Sequence, residues 1–244
     1  MLLTKGNKMN ILISAATHAE VGKLLDYLNE SSDTVVKKSN NIFEYDFYGL
    51  KISFVITGVG QVASAYNVTK MLVSKQYDLA INLGICGAFP ESNLNIGDVV
   101  EIKTEIFGDF GVDDHGNLKT VFDMGLVDPE AFPFQNGELH NPADNKWIHP
   151  FVEAVGLRSL TVSLVSGELT QIVLRKQKFS VDVENMEGAA FFYVCLSEKV
   201  PFIEIRSVSN LVEPRKREKW QIPLAIDRLF DASKFMIMEL ASKN

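Results

Sequence analysis

Cysteine is scarce in this chain. Cys86 and Cys195 are the only two among 244 residues, and both sit in apolar surroundings. That excludes a disulfide-stapled secreted scaffold and reads as reduced core thiols in a cytoplasmic protein. Positive charge is not in excess either. The 24 Lys and Arg against 31 Asp and Glu give a net charge of −7, with the signs interspersed, so no basic face offers itself to nucleic acid. No apolar run approaches the length of a membrane span. The opening MLLTKGNKMN has no continuous apolar segment of the signal-peptide kind, and residues 1–9 read as a flexible leader before the first strand. The four histidines are dispersed. None pairs at ligand spacing, and DDHGN (113–117) reads as a loop turn, so no metal is expected. No Pro-, Gly- or Ser-rich linker, low-complexity block or repeat divides the chain. Residues 10–244 therefore read as a single domain, and 46% hydrophobic content is enough for a sizeable core.

What is present is an alternation of apolar runs of two kinds. NILISAA (10–16), DLAINLGICGAF (78–89), IGDVVEIKTEIF (96–107), SLTVSLVS (159–166), FSVDV (179–183) and VPFIEIRSVSN (200–210) read as strands. The stretch 41–57 reads as a hairpin turning at Tyr48-Gly49. Helices are expected after His18 and over 61–75, 168–178, 188–199 and 217–241, with 108–150 loop-rich. The alternation predicts an α/β fold: a three-layer sandwich with a central mixed β-sheet flanked by helices. Ligands in such sheets sit at the carboxyl ends of the strands. Glu20, Gly84 to Gly87, Ser166-Gly167, Asn185 to Glu187 and Ser209-Asn210 all fall there.

Each candidate motif has a plain structural reading beside a chemical one. TGVGQVASA (57–65) contains G-x-G-x-x-A, but the acid that a dinucleotide site needs is misplaced: Asp78 precedes its strand instead of ending it. A tight turn with close helix packing is the better reading, and no cofactor is expected. The glycines of NLGICGAF (82–89) either make a turn or let a flat ligand lie against backbone amides. Cys86 has no neighbouring His or cation in sequence to activate it. Glu20 follows Thr17 by three, which fits a capping box or a base at the mouth of a pocket. EPRKREKW (213–220) is a solvated charge run, or a source of one arginine for the pocket. VENMEGAA (183–190) places Glu184 and Glu187 at a strand-to-helix corner, where they either cap the helix or hold a ligand.

Six segments carry a resemblance: SAATHAEV, TGVGQVASA, NLGICGAF, SGEL, VENMEGAA and PFIEIRSVSN. In order and spacing they resemble the purine nucleoside phosphorylase and methylthioadenosine/S-adenosylhomocysteine nucleosidase superfamily, over nearly all of the chain from residue 10. Within it the chain is most similar to the futalosine hydrolase family. The points of similarity are A-T-x-A-E at the first strand, the stretch 108–142 with GDFG, GNLKTVFDMGL and GELHNP, and S-N followed by EPR after the last strand. The resemblance implies cleavage of an N-glycosidic bond, without metal or cofactor, in a homo-oligomer (a dimer or larger). It implies Glu20 as the water-activating group, Arg206 as an arginine that positions the water, and Met186 with Glu187 as the ribose holder. Backbone at Cys86 and Gly87 would meet the base, and Asn210, beside Ser209, would take the place of an aspartate that handles N7. Asn185 stands for a glutamate, Ile85 for a serine, and Thr170 with Gln171 for a Phe-Ile pair against the base.

The chemistry of these residue types is coherent. A carboxylate at 187 can accept both hydroxyls of a cis-diol and stabilise an oxocarbenium-like sugar. A carboxylate at 20 repels phosphate and accepts a proton from water, which favours hydrolysis over phosphorolysis. An amide at 210 can donate to N7 and O6 of a 6-oxopurine. Futalosine carries a further carboxylate, for which Arg215 or Arg217 is the expected partner. A 6-oxopurine phosphorylase, an adenine-releasing nucleosidase and a catalytically silent nucleoside-binding module are the alternatives.

Overall fold

The computed structural model describes residues 8–142 and 154–243. The expected leader, up to residue 7, and the end of the expected loop region, residues 143–150, lie outside the described residues. In chain order the elements are β1 (Asn10–Ala15), α1 (His18–Ser31), β2 (Thr34–Lys37), β3 (Ile42–Phe47), β4 (Leu50–Ile56), α2 (Gln61–Ser74) and β5 (Leu79–Ala88). There follow β6 (Val99–Phe107), β7 (Gly111–Asp114), β8 (Asn117–Thr120), β9 (Leu139–His140), β10 (Ala154–Thr161), α3 (Leu169–Lys178), β11 (Val183–Asn185), α4 (Gly188–Ser197), β12 (Phe202–Leu211) and α5 (Ile222–Ser242).

The main sheet is mixed, in the order β11-β10-β6-β12-β5-β1-β4-β3-β2. β11 also pairs antiparallel with β5, through Val183 with Ala88 and Glu184 with Gly87. Strands β5, β12, β6, β10 and β11 therefore close into a ring, and β1, β4, β3 and β2 extend from it. Alternation along β1 sorts the two cores. Ile11 and Ile13 pack with Leu24 and Leu28 of α1 and Leu229 and Ile237 of α5. Leu12 faces the other side, with Val68 and Met71 of α2 and Phe191 of α4. Helices thus cover both faces of the sheet, the sandwich that the alternation predicts.

Local chemistry explains the boundaries. Tyr48 (φ 48) and Gly49 (φ 87) make the two-residue turn between β3 and β4, the left-handed pair that matches strand twist. The last helix begins at Ile222 and not at 217. Pro223 lies in its first turn, where a missing N–H costs nothing, and 217–219 form one separate 3₁₀ turn. The strand expected over 159–166 runs from Ala154 to Thr161. Beyond it the Asp109 carboxylate takes the backbone N–H of Ser163 at 2.5 Å and turns the chain. The expected strand at 179–183 is shifted to Val183–Asn185. β2 is a wholly exposed edge strand without a buried face. The period-free stretch after 108 hides the hairpin β7–β8, equally exposed along β7.

Candidate active site

The carboxyl ends of β1, β4, β5, β11 and β12 converge on one group of side chains. α1 starts with a complete capping box: Glu20 Oε2 accepts from Thr17 N at 3.0 Å and Thr17 Oγ1 at 2.8 Å, while Thr17 Oγ1 accepts from Glu20 N. The plain structural role of Glu20 is therefore real, but it engages one oxygen. The other, Oε1, accepts the N–H of Ile85 at the end of β5, at 3.2 Å. Glu20 is buried, and burial raises its pKa above the ordinary value against the opposing pull of Arg206. It is a carboxylate poised to take a proton.

Glu187 answers the corner question differently. It stands at the N-terminus of α4 but makes no side-chain cap. Asn185 does the capping, its Oδ1 accepting the N–H of Glu187 at 2.9 Å and of Gly188 at 2.7 Å. Thr161 Oγ1 takes the next, Ala189 N, at 2.7 Å. The Glu187 carboxylate is left free of the helix. It accepts Gly60 N at 3.0 Å from the glycine turn before α2 and lies 3.4 Å from Arg206 Nη1. The G-x-G-x-x-A turn thus has a purpose: Gly60 holds φ 94 and aims its N–H at Glu187. Met186 is half-buried beside it.

Arg206 is 1% exposed and ties the group together. Its Nε donates to Glu204 at 2.7 Å, and its Nη2 reaches Asn185 Oδ1 at 3.5 Å. The guanidinium occupies the space where a side chain at Gly84 would be, 3.1 Å from that point to Glu20 Oε1. Glu20, Glu187 and Arg206 therefore share one locus. Beneath it lies a second layer that sequence reasoning missed. Glu105 accepts Asn185 Nδ2 and Thr161 Oγ1, each at 2.6 Å, and both Glu105 and Glu204 crowd the bare Cα of Gly188. Burial, then Glu204, pushes Glu105 up to about 8, and burial raises Glu204 as well. The available signal was Glu204 and Arg206 two residues apart in an otherwise apolar strand, which puts both on one face.

Asn185 is fully engaged in this layer, with Nδ2 also donating to Ser159 Oγ at 2.6 Å. Its place is beneath Glu187, not against a ligand, because every polar atom of its amide is already paired. Cys86 packs in the core, and burial pushes its thiol up to about 12. Burial thus favours the unreactive thiol over the thiolate, and the Cys86 carbonyl accepts Ser209 Oγ at 3.0 Å.

One residue further along β5, Gly87 lines a recess of about 60 Å³ with Asn210 of β12, Ser166 and Glu184. Asn210 Nδ2 donates to Leu211 O at 3.0 Å, and Oδ1 lies 2.9 Å from Ser209 Oγ. One N–H of the amide is thus committed, and one remains. Arg175, buried in α3, pairs with Glu184 at 3.1 Å and with Ser166 Oγ at 2.7 Å. Its signal in sequence was weak: a charge at helical spacing from Ile172. Thr170 and Gln171 do not reach the recess. They line a neighbouring groove of about 690 Å³ between α3 and the β7–β8 hairpin. Arg215 borders both spaces and stacks over Trp220 at 5.1 Å. Arg217 sits in the exposed 3₁₀ turn and borders neither. Among the described residues no group of His, Cys, Asp and Glu has metal-binding geometry, and no helix is long and apolar enough to cross a membrane.

The chain is similar to known proteins over most of its length. The chain is 31% identical over 218 residues to a 5′-methylthioadenosine/S-adenosylhomocysteine nucleosidase of Maridesulfovibrio salexigens, covering 84% of this chain and 87% of the relative. It is 27% identical over 199 residues to the futalosine hydrolase of Thermus thermophilus, covering 78% and 83%. The fold superposes on the futalosine hydrolase structure of Helicobacter pylori with a TM-score of 0.76 at 16% identity, over 97% of this chain and 99% of that one. Residues 10–237 match the family model described as the phosphorylase superfamily, and the chain belongs to that superfamily, among relatives that are nucleosidases.

Proposed function

We propose that the protein hydrolyses the N-glycosidic bond of a purine nucleoside, and that its substrate is futalosine, with hypoxanthine as the leaving base. The observation that carries the reading is the charge at the reacting locus. An acid, Glu20, stands beside Glu187 at the mouth of the site, buried and with its pKa raised. A phosphorylase needs cations and free amides for its phosphate there. The buried guanidinium at this locus, Arg206, is already matched by Glu204 and Glu187.

The steps follow from the residues. Glu187 accepts the ribose hydroxyls, and its charge favours the developing oxocarbenium more than the ground state. The bond from C1′ to the base nitrogen breaks, and its electron pair goes to the base. Water attacks C1′ and gives its proton to Glu20. Asn210 donates its remaining N–H to the N7 and O6 edge, where the negative charge of a departing 6-oxopurine collects. The carboxylate of futalosine beyond the ribose meets Arg215, which borders the adjoining groove.

The test is direct. Purified protein is incubated with futalosine in phosphate-free buffer made with ¹⁸O-water. Free hypoxanthine, with label in the sugar product, is the expected result, and release that depends on added phosphate would overturn it. The second reading, a methylthioadenosine/S-adenosylhomocysteine nucleosidase, is favoured by the relatives that carry that name. Adenine release from methylthioadenosine at a higher kcat/KM than hypoxanthine release would establish it. A homo-oligomer is also part of the proposal. Val62, Tyr66 and Val73 leave an apolar stripe along the outer face of α2, and light scattering on the purified protein reads the mass.

A further inference from the structure

Two side chains cap the start of α4, and both rest on one carboxyl group. The first N–H groups of a helix have no partner inside it. Asn185 Oδ1 takes those of Glu187 and Gly188, and Thr161 Oγ1 takes that of Ala189. Behind them stands Glu105 of β6, fully buried. Its Oε1 accepts Asn185 Nδ2, and its Oε2 shares a hydrogen bond with Thr161 Oγ1, each at 2.6 Å. Strand pairing puts these groups together. Glu105 neighbours Ser159 on β10, and Thr161, further along that strand, neighbours Asn185 on β11. Gly188 leaves the room, since a Cβ there would overlap Glu105 Oε1.

This layer decides which way the Asn185 amide faces. Turned over, the amide would point its own N–H groups at two helix N–H groups and lose both acceptors. Glu105 and Ser159 keep Nδ2 inward, so Oδ1 stays towards the helix. One of the two N–H groups it holds is that of Glu187 itself. Asn185 thereby fixes the backbone from which the Glu187 side chain springs, while Gly60 N at 3.0 Å and Arg206 Nη1 at 3.4 Å hold the carboxylate. A binding group works only when supporting bonds of this kind keep it within about 0.5 Å of its productive place.

We propose that Glu105 is a positioning residue for ribose recognition: through Asn185 and Thr161 it sets the first turn of α4, and so the place from which Glu187 grips the sugar hydroxyls. This deepens the purine-nucleosidase reading and rests on it. Burial, then Glu204, raises Glu105 to about 8, so near neutral pH the carboxyl keeps its proton. The side chain then offers an oxygen to Asn185 and a hydrogen to Thr161, whose own hydroxyl can turn to Asn185 Oδ1 at 3.3 Å. A Gln side chain has the same size and the same pattern of donor and acceptor. A Leu side chain fills the space but offers neither.

The experiment isolates the contribution of the sugar hydroxyls. Turnover is blocked with Glu20→Gln. Calorimetry then reads the affinity of the full chain for inosine and 2′,3′-dideoxyinosine, and for adenosine and 2′,3′-dideoxyadenosine, so that the result does not depend on which base the site prefers. With Glu105 intact, the ribonucleoside should bind at least about tenfold tighter than its dideoxy partner, as hydrogen bonds to a charged group imply. Adding Glu105→Leu should shrink that ratio below about threefold, and adding Glu105→Gln instead should keep it near about tenfold or above. A merely structural role would weaken both nucleosides alike and leave the ratio unchanged. A ratio that survives Glu105→Leu, or that falls as far with Gln as with Leu, overturns the assignment and leaves the nucleosidase reading intact. If Glu105→Leu does not fold, Thr161→Val, which cuts one of the two links, is judged by the same ratio, and an unchanged ratio there overturns the assignment equally. A ratio near one with Glu105 intact also overturns it. Wild type that releases no base from futalosine, inosine or methylthioadenosine overturns both readings.

Discussion

Gly84→Ala is the sharpest probe of the reacting locus, because it adds one methyl group at a place where the structure leaves none. Gly84 lies on β5 with ordinary backbone angles, so the substitution imposes no conformational strain. Its new Cβ would fall within the contact radius of Arg206 Nη1, 3.2 Å from Arg206 Cζ and 3.1 Å from Glu20 Oε1. A surface arginine would swing aside at little cost. Arg206 cannot do so, because Nε is pinned to Glu204 at 2.7 Å and the side chain is buried. The guanidinium must withdraw by roughly 1 Å, a misplacement that typically costs on the order of 100-fold in rate. It takes with it the 3.4 Å contact to Glu187. Overpacking a buried site costs about 1–3 kcal/mol of stability, so the protein should still fold. The assay is steady-state kinetics beside thermal melting. The expected outcome is kcat down about 100-fold with KM within about threefold, since the proposed reaction puts Arg206 and Glu20 at the water side and not at the base. Gly87→Ala is the matched control. Its Cβ meets Asn210 Nδ2 at 3.1 Å and Val212 at 3.0 Å, so the loss should appear in KM and base affinity instead. A Gly84→Ala enzyme with wild-type kcat would refute the placement of Arg206 and Glu20 at the reacting water.

Three further outcomes follow from the same geometry. Glu20→Gln can keep the Thr17 capping bonds through its one amide oxygen but loses the base and the bond from Ile85 N–H, so kcat should fall by about 10²–10⁴ and Tm should drop by the cost of one unmatched N–H; the acidic limb of the wild-type kcat/KM profile, lying above the usual carboxylate range because burial raises Glu20, should vanish with it. Glu105, pushed up to about 8 by burial and Glu204, binds its proton more tightly folded than unfolded, so its contribution to stability is complete below about pH 4.5 and is lost as pH rises towards 8. Glu105→Gln should therefore gain Tm relative to wild type between pH 5 and 8 and level off above, and a pH-independent difference would show that Glu105 is charged throughout. Arg215→Ala should raise KM for futalosine at least about tenfold and leave KM for inosine unchanged; equal effects on both substrates would remove Arg215 from carboxylate recognition.

The alternation of apolar runs determined the layered fold without help from tertiary contacts, because burial on both sheet faces and the helical period leave their mark residue by residue. Thr17 and Glu20 were legible as a capping pair, and Tyr48-Gly49 as a turn, since local hydrogen bonds and left-handed backbone act over three or four residues. Exposed β2 and the β7–β8 hairpin were not legible, because strands without a buried face carry no alternation. The division of labour at VENMEG was also closed to sequence: Asn185 caps α4 only because Glu105 and Ser159, 80 and 26 residues away, hold its amide. The same holds for the row Glu184–Gly87–Asn210, which exists only because β11 turns back to pair with β5. Sequence specified which chemical groups this protein possesses and which local elements carry them. Strand register and ring closure, which depend on long-range pairing that no short window encodes, decided which of those groups meet.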